Sequence, residues 1–276
     1  MSKIKWERNF PGLVHTNWAG KKVYYYRSID STNLKAGELA TRGAAVKDGR
    51  ETPHGSLVLA DRQTAGKGRS GRQWDSPAGE NLYFTLILYP RFPAGKASML
   101  TLVMALAVSK ALGEATGVNA GIKWPNDIVV DGRKVVGILT QMQAQAGKIA
   151  YVIIGVGINV ARREFTGELA GKATSLENEL GKKVSRETLL AGVLEHFELL
   201  YERFCQRTSL RELRPAYESR LVNRGRQVRV LDPAGEFTGT ALGINDTGEL
   251  LVETEDGAVQ TVYAGEVSVR GVYGYV

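Results

Sequence analysis

With 276 residues, 43% of them hydrophobic and 24% charged, the chain can bury one full-sized core and still leave residues for a small second domain. A formal net charge of +7 and a pI near 9.4 favour an anionic partner, whether nucleic acid, nucleotide phosphate or an acidic protein face, and equally suit a merely solvated basic surface. The single cysteine, Cys205, excludes disulfides within the chain, no pair among His15, His54 and His196 has metal-ligand spacing, and neither a membrane-length apolar run nor a leader is legible, so a soluble cytoplasmic protein is expected.

Val23–Tyr26 reads as an edge strand, and the capping residues Asp30-Ser31-Thr32-Asn33 open a helix over Leu34–Thr41. A strand at Leu57–Asp61 leads into a glycine-rich basic loop, Gln63–Trp74, followed by a strand at Leu82–Tyr89. Ala97–Thr116 is apolar almost all round and predicts a buried helix. Asp131-Gly132 between Val129-Val130 and Val135-Val136 is a hairpin signature, and Ile149–Ile154 is a β-branched strand. Leu189, Val193, Phe197, Leu200 and Phe204 mark a long amphipathic helix. Hairpins in place of regular crossover helices predict an α+β layer rather than a doubly wound sheet. Beyond Arg224, short strands at Gln227–Leu231, Phe237–Ile244, Leu250–Thr254 and Val259–Tyr263 alternate with tight turns, which predicts a small barrel. The boundary is placed near Asn223, giving domains 1–223 and 224–276.

Two segments carry chemistry. Gly66-Lys67-Gly68-Arg69-Ser70-Gly71-Arg72 follows a strand and ends at Trp74; glycines let backbone amides approach an anion and the cations offset its charge. It matches neither a Walker A loop nor a dinucleotide fingerprint, and by itself it is also compatible with a ligand-free basic loop. In Ile122-Lys123-Trp124-Pro125-Asn126-Asp127-Ile128, the proline excludes a central strand, so Lys123 and Asn126 are expected to project from an irregular turn; an ordinary β-turn has the same chemistry.

Together these segments resemble biotin-protein ligases. Gly66 to Trp74 is similar to that family's Gly-Arg-Gly-Arg-x-Gly-Arg-x-Trp motif, and Lys123 to Asp127 is identical to its Lys-Trp-Pro-Asn-Asp motif. Asp30-Ser31-Thr32-Asn33, Lys134 to Leu139 and Gly155-Val156-Gly157-Ile158-Asn159 resemble its remaining landmarks, in order, and Gly243-Ile244 with Gly265-Glu266-Val267 resemble its C-terminal domain. The resemblance implies a class II synthetase-like mixed sheet with helices packed on it, plus an SH3-like β-barrel. It implies activation of biotin by Mg-ATP to biotinyl-5'-AMP and transfer to a lysine of a biotin carboxyl carrier protein.

It further implies a biotin site of Ser31, Thr32, Asn33, Gln63, Gly66, Lys67, Gly68, Arg69, Lys123 and Gly137, with Gly137 allowing close packing. The nucleotide side takes Lys67, Arg69, Arg72, Trp74, Lys123, Asn126 and Asn159, with core packing as the alternative for Trp74. Lys123 and Arg69 are the catalytic candidates, because carboxylate and α-phosphate repel each other and need cations between them. Mg²⁺ is expected with ATP; Asp127 suits either that ion or the turn. A second copy of the chain is expected to pair along Lys148–Ile154, as in some family members, and the basic loop to close over the adenylate.

Lys67 departs from the family's usual arginine and loses its planar fork of donors. Too few residues precede the landmarks for the winged helix-turn-helix of repressor members, so the monofunctional type without specific DNA binding is expected. The rival readings are a lipoate or octanoate ligase of the same superfamily, a nucleic-acid-binding protein, and a biotin sensor without transferase activity.

Overall fold

A computed structural model describes residues 10–45, 52–232, 235–264, 268–271 and 275–276. Strands β1 (Val23–Tyr26), β2 (Ser56–Ala60), β3 (Leu82–Leu88), β4 (Gly121–Lys123), β5 (Asp127–Val130), β6 (Arg133–Gln145) and β7 (Lys148–Ile158) form a mixed sheet in the order β1-β2-β3-β7-β6-β5-β4. Only β1 and β2 run parallel; the other neighbours are antiparallel. Asp131 (φ 48°) and Gly132 (φ 74°) make the left-handed turn that joins β5 to β6. Ala146 (φ 48°) and Gly147 (φ 73°) make another from β6 to β7. The sequence analysis does not show how far β6 extends: its end, Gln141–Gln145, alternates Gln with Met142 and Ala144 but is exposed on both faces and has no β-branched residue to mark a strand.

Each side of the sheet is covered by helix. On one face, α1 (Thr32–Ala45) buries Ala36 and Ala40 against Val58, Ile87 and Ile153. On the other, α2 (Met99–Thr116) and α4 (Arg186–Arg207) bury Leu106, Leu112, Leu189, Phe197 and Phe204 in the main core with Leu57, Leu59, Leu86 and Ile154. Alternate residues of β2 thus serve opposite faces, as the period of a strand requires. Ala94–Thr116 has the length and apolarity of a membrane span, contrary to the sequence expectation, yet α2 is a core helix whose side chains are mostly buried. Two short helices, α3 (Leu176–Leu180) and α5 (Arg214–Glu218), lie where the sequence shows no sustained period.

After Asn223 the chain forms β8 (Gln227–Leu231), β9 (Phe237–Ile244), β10 (Leu250–Glu253), β11 (Val259–Val262) and β12 (Ser268–Gly271), an antiparallel sheet ordered β11-β10-β9-β8-β12. Its inward residues Val228, Val230, Ala241, Leu250 and Val252 join the core of the larger sheet. Trp124, 1% exposed, links the two: its amide donates to Asn223 Oδ1 (2.8 Å) and its Nε1 to the Gly248 carbonyl (2.9 Å). Gly265-Glu266-Val267, quoted above for the family likeness, and Pro233-Ala234 of the first turn lie outside the described residues.

The structure narrows where the expected pairing of Lys148–Ile154 with a second copy could form. Val152–Ile154 sit between β3 and β6, with both edges hydrogen-bonded, and only Lys148–Tyr151 extend past the end of β3.

Candidate active site

The site lies at one end of the large sheet, where the start of α1, the basic loop, the β4–β5 turn and the glycine-bearing parts of β6 and β7 meet. At the start of α1, the Thr32 amide and hydroxyl both donate to Gln63 Oε1 (2.8 and 3.0 Å), and Gln63 Nε2 donates to Ser76 Oγ (2.9 Å). Ser31 is buried beside them. Asn33 is braced from three sides: Thr85 donates to its Oδ1 (2.7 Å), while its Nδ2 donates to the Leu139 carbonyl (3.3 Å) and Gln141 Oε1 (3.0 Å). Gly155 makes room for this side chain, since a Cβ there would lie 1.9 Å from Asn33 Oδ1.

The segment from Gly66 to Trp74 is a tight hairpin rather than an open cradle of amides. Trp74 N–H donates to the Gly66 carbonyl (2.9 Å), Gly68 N–H to the Arg72 carbonyl (2.7 Å), and Lys67 faces Gln73 across the ladder. The turn passes through Ser70 (φ 53°) and Gly71 (φ 74°). Gly66 is required by a neighbour rather than by a ligand, because a Cβ would stand 2.4 Å from the Trp74 carbonyl.

The Trp74 indole lies on a floor made by Gly137 of β6 and Gly157 of β7, which are direct partners in the sheet. Added Cβ atoms would come within 2.7 and 2.5 Å of that ring. Its Nε1 is buried and has no hydrogen-bond partner among the described residues.

Two cavities meet across Gly68, Arg69, Trp74, Asn126 and Lys134. The smaller, about 50 Å³, is lined by Ser31, Thr32, Asn33, Gln63, Lys67, Gly137 and Gly157. The larger, about 960 Å³, is lined by Arg72, Lys123, Asp127, Asn159, Arg270 and Tyr275. Arg69 bridges them: its Nη1 donates to Asn126 Oδ1 (2.8 Å), and Asn126 Nδ2 donates in turn to the Ile138 carbonyl (3.0 Å). Burial draws the Arg69 guanidinium below its usual range, with Asp127 opposing. Asn159 is held by Thr174, whose carbonyl accepts from its Nδ2 (3.1 Å).

Lys123 ends β4 and is only 5% exposed. Burial pulls its ammonium down to about 8; Asp127 opposes this, while Lys134, Arg270 and Arg72 push the same way as burial. Asp127 is engaged elsewhere, with Lys134 Nζ 2.6 Å from Oδ1 and the Tyr275 hydroxyl donating to Oδ2 (2.5 Å). Among the described residues, no group of three or more His, Cys, Asp and Glu side chains is placed to hold a metal.

Every site residue named from the sequence lines one of these cavities or an adjoining groove of about 900 Å³, which receives Gly66, Lys67 and Arg72. Lys134, Arg270 and Tyr275 were not singled out. Lys134 stands within a quoted landmark and beside the hairpin turn, so a signal existed for it; Arg270 and Tyr275 come from the far end of the chain and have no local pattern.

Residues 42–159 match the Biotin/lipoate A/B protein ligase family and residues 225–270 the biotin protein ligase C-terminal domain. The chain is 39% identical to the bifunctional ligase/repressor BirA of Bacillus subtilis over 92% of its own length and 76% of that protein's. The chain belongs to the biotin protein ligase family. This ligase is also 34% identical to a biotin acetyl-CoA-carboxylase ligase of Paracoccus denitrificans, covering 88% of its own length and 98% of the relative's. The biotin protein ligase of Aquifex aeolicus, solved in complex with biotin and ATP, superposes on it with a TM-score of 0.75 at 32% identity, over 91% of this ligase and 99% of that chain. The likeness extends to the C-terminal sheet, which carries the family's SH3-like domain.

Proposed function

We propose that the protein activates biotin with ATP as biotinyl-5'-AMP and then transfers biotin to a lysine of a biotin carboxyl carrier protein domain. The observation that carries this reading is that Arg69 and Lys134 stand where the small glycine-floored cavity meets the larger one, with Lys123 in the wall of the larger. A carboxylate oxygen attacks the α-phosphorus and pyrophosphate leaves; the acceptor amine then attacks the acyl carbon and AMP leaves. In the first step two anions meet, and cations fixed before the reaction offset their repulsion without reorganising.

In this reading Ser31, Thr32 and Gln63 present polar groups to the ureido ring, and Asn33 is the brace behind them. Trp74 sits on the glycine floor and leaves only about 50 Å³ free, so the ring moves to admit the bicyclic head. Arg72 and Asn159 serve the nucleotide. Magnesium finds no cage among the described side chains, and Asp127 is committed to Lys134 and Tyr275; the ion would be held by the phosphates of the nucleotide and would neutralise part of their charge. Residues 224–276 are read as a separate small domain, and the protein as a cytoplasmic one. A second copy would add at Lys148–Tyr151, the part of β7 that β3 leaves uncovered, and a dimer mass in solution would support this.

The test is mass-spectrometric detection of acyl-adenylate after mixing the protein with Mg-ATP and, separately, biotin, lipoate or octanoate. Biotinyl-adenylate alone, followed by biotin transfer to an added carrier domain, is the expected result. An adenylate of another acid, or none, would overturn the reading.

A further inference from the structure

Lys123 presents a physical problem that its motif does not solve. It is a flexible four-carbon stem ending in a charge, buried, with Lys134, Arg72 and Arg270 as like-charged neighbours. Among the described residues its Nζ has no hydrogen-bond acceptor, and the nearby carboxylate, Asp127, is occupied by other partners. What faces the ammonium is an aromatic ring from the far end of the chain: Lys123 Nζ stands 3.5 Å from the centroid of Tyr275. The hydroxyl of that same tyrosine donates to Asp127 Oδ2 at 2.5 Å.

We propose that Tyr275 is a positioning residue for Lys123, holding the ammonium against its ring face while its hydroxyl helps turn Asp127 toward Lys134 and away from the lysine. A carboxylate in the ring's place would hold the lysine equally well but would cancel the charge that an anionic substrate needs and repel the phosphates. A ring face attracts the cation through its quadrupole and adds no net charge to the cavity wall. Because the hydroxyl shares Asp127 with Lys134 Nζ, the salt bridge forms with Lys134 and Lys123 remains uncommitted. Tyr275 itself lines the larger cavity, so both members of the pair border the space assigned to the nucleotide.

This inference rests on the ligase reading, and its test separates the two. In the full-length protein, Tyr275→Leu removes ring and hydroxyl, and Tyr275→Phe removes the hydroxyl alone. Pyrophosphate release in the first half-reaction is measured for each, with biotin affinity and thermal melting as checks on folding. Tyr275→Leu is expected to lower kcat for adenylation about tenfold, the size of a well-desolvated ring–cation contact, with biotin affinity unchanged. Tyr275→Phe is expected to recover most of that loss. Wild-type rates in Tyr275→Leu, a Phe variant as impaired as Leu, or a lower KM for ATP in Tyr275→Leu, which would make the ring a plug, each overturn the inference while leaving the ligase reading intact. Failure of the wild-type protein to form any biotinyl-adenylate overturns the ligase reading, and the inference with it.

Discussion

Burial sets the pH dependence expected of Lys123. A solvated lysine stays largely charged up to about pH 10, whereas burial in the cavity wall, aided by Lys134, Arg270 and Arg72, pulls this ammonium down to about 8. If the charged form assists the first step, kcat/KM for adenylation falls as pH rises through about 8 in the free enzyme. Bound phosphates restore the charge, so the same limb in kcat lies at higher pH; identical limbs in the two profiles would count against a role for this group. The linked stability effect has the opposite sign. Between about 8 and the ordinary 10.5 the unfolded chain binds a proton that the folded one does not, so Lys123 contributes stability as pH rises across that window. Lys123→Ala should keep biotin binding and lose roughly a hundredfold or more of adenylation, the usual effect of deleting a preorganised charge-stabilising donor. Near-normal turnover in pyrophosphate release would remove Lys123 from the mechanism. A second residue-level case is Gly155→Ala, whose methyl would stand 1.9 Å from Asn33 Oδ1 and unseat the brace. Biotin affinity should drop at least tenfold, a loss of about 1.4 kcal/mol, as read by calorimetry.

At the scale of elements, the hairpin from Gly66 to Trp74 is closed by its own backbone bonds and by Trp74 on the Gly137–Gly157 floor. Its cations Lys67, Arg69 and Arg72 are also the points at which trypsin cuts. When biotin and ATP fill the two cavities, the hairpin is expected to lose susceptibility to trypsin, because a loop held down by ligand opens less often. Equal rates of cleavage with and without ligands would sink the closure idea. The elements around the hairpin show why a glycine-rich motif needs its fold to be read: Gly66 answers to the Trp74 carbonyl, and Gly137 and Gly157 to the Trp74 ring.

For the molecule as a whole, the two sheets share one apolar core, and Trp124 is hydrogen-bonded to both Asn223 and Gly248. Asn223→Ala leaves the buried Trp124 amide without its acceptor and should cost about 1–3 kcal/mol. Because the core is continuous, wild-type protein should melt in a single transition, whereas separate calorimetric peaks would show that the sheets unfold independently. Helix α4 adds a second tie: Glu198 accepts from the amides of Asn17, Trp18 and Ala19, fixing the segment before β1.

Local chemistry and period were legible along the chain: the Asp-Gly turn, the apolar α2, the amphipathic α4, the short C-terminal strands and the two motifs that carry the family resemblance. These follow from residue preferences and spacing, which act over a few residues and leave a pattern. What only the tertiary structure decided involves partners distant in the chain. Strand β7 enters between β3 and β6, which sets Gly157 beside Gly137 beneath Trp74 and covers Val152–Ile154 of the edge expected for a second copy. The C-terminal end places Tyr275 over Lys123, across 152 positions of sequence, and occupies Asp127. Such contacts arise from how whole elements pack, and no window of neighbouring residues encodes them.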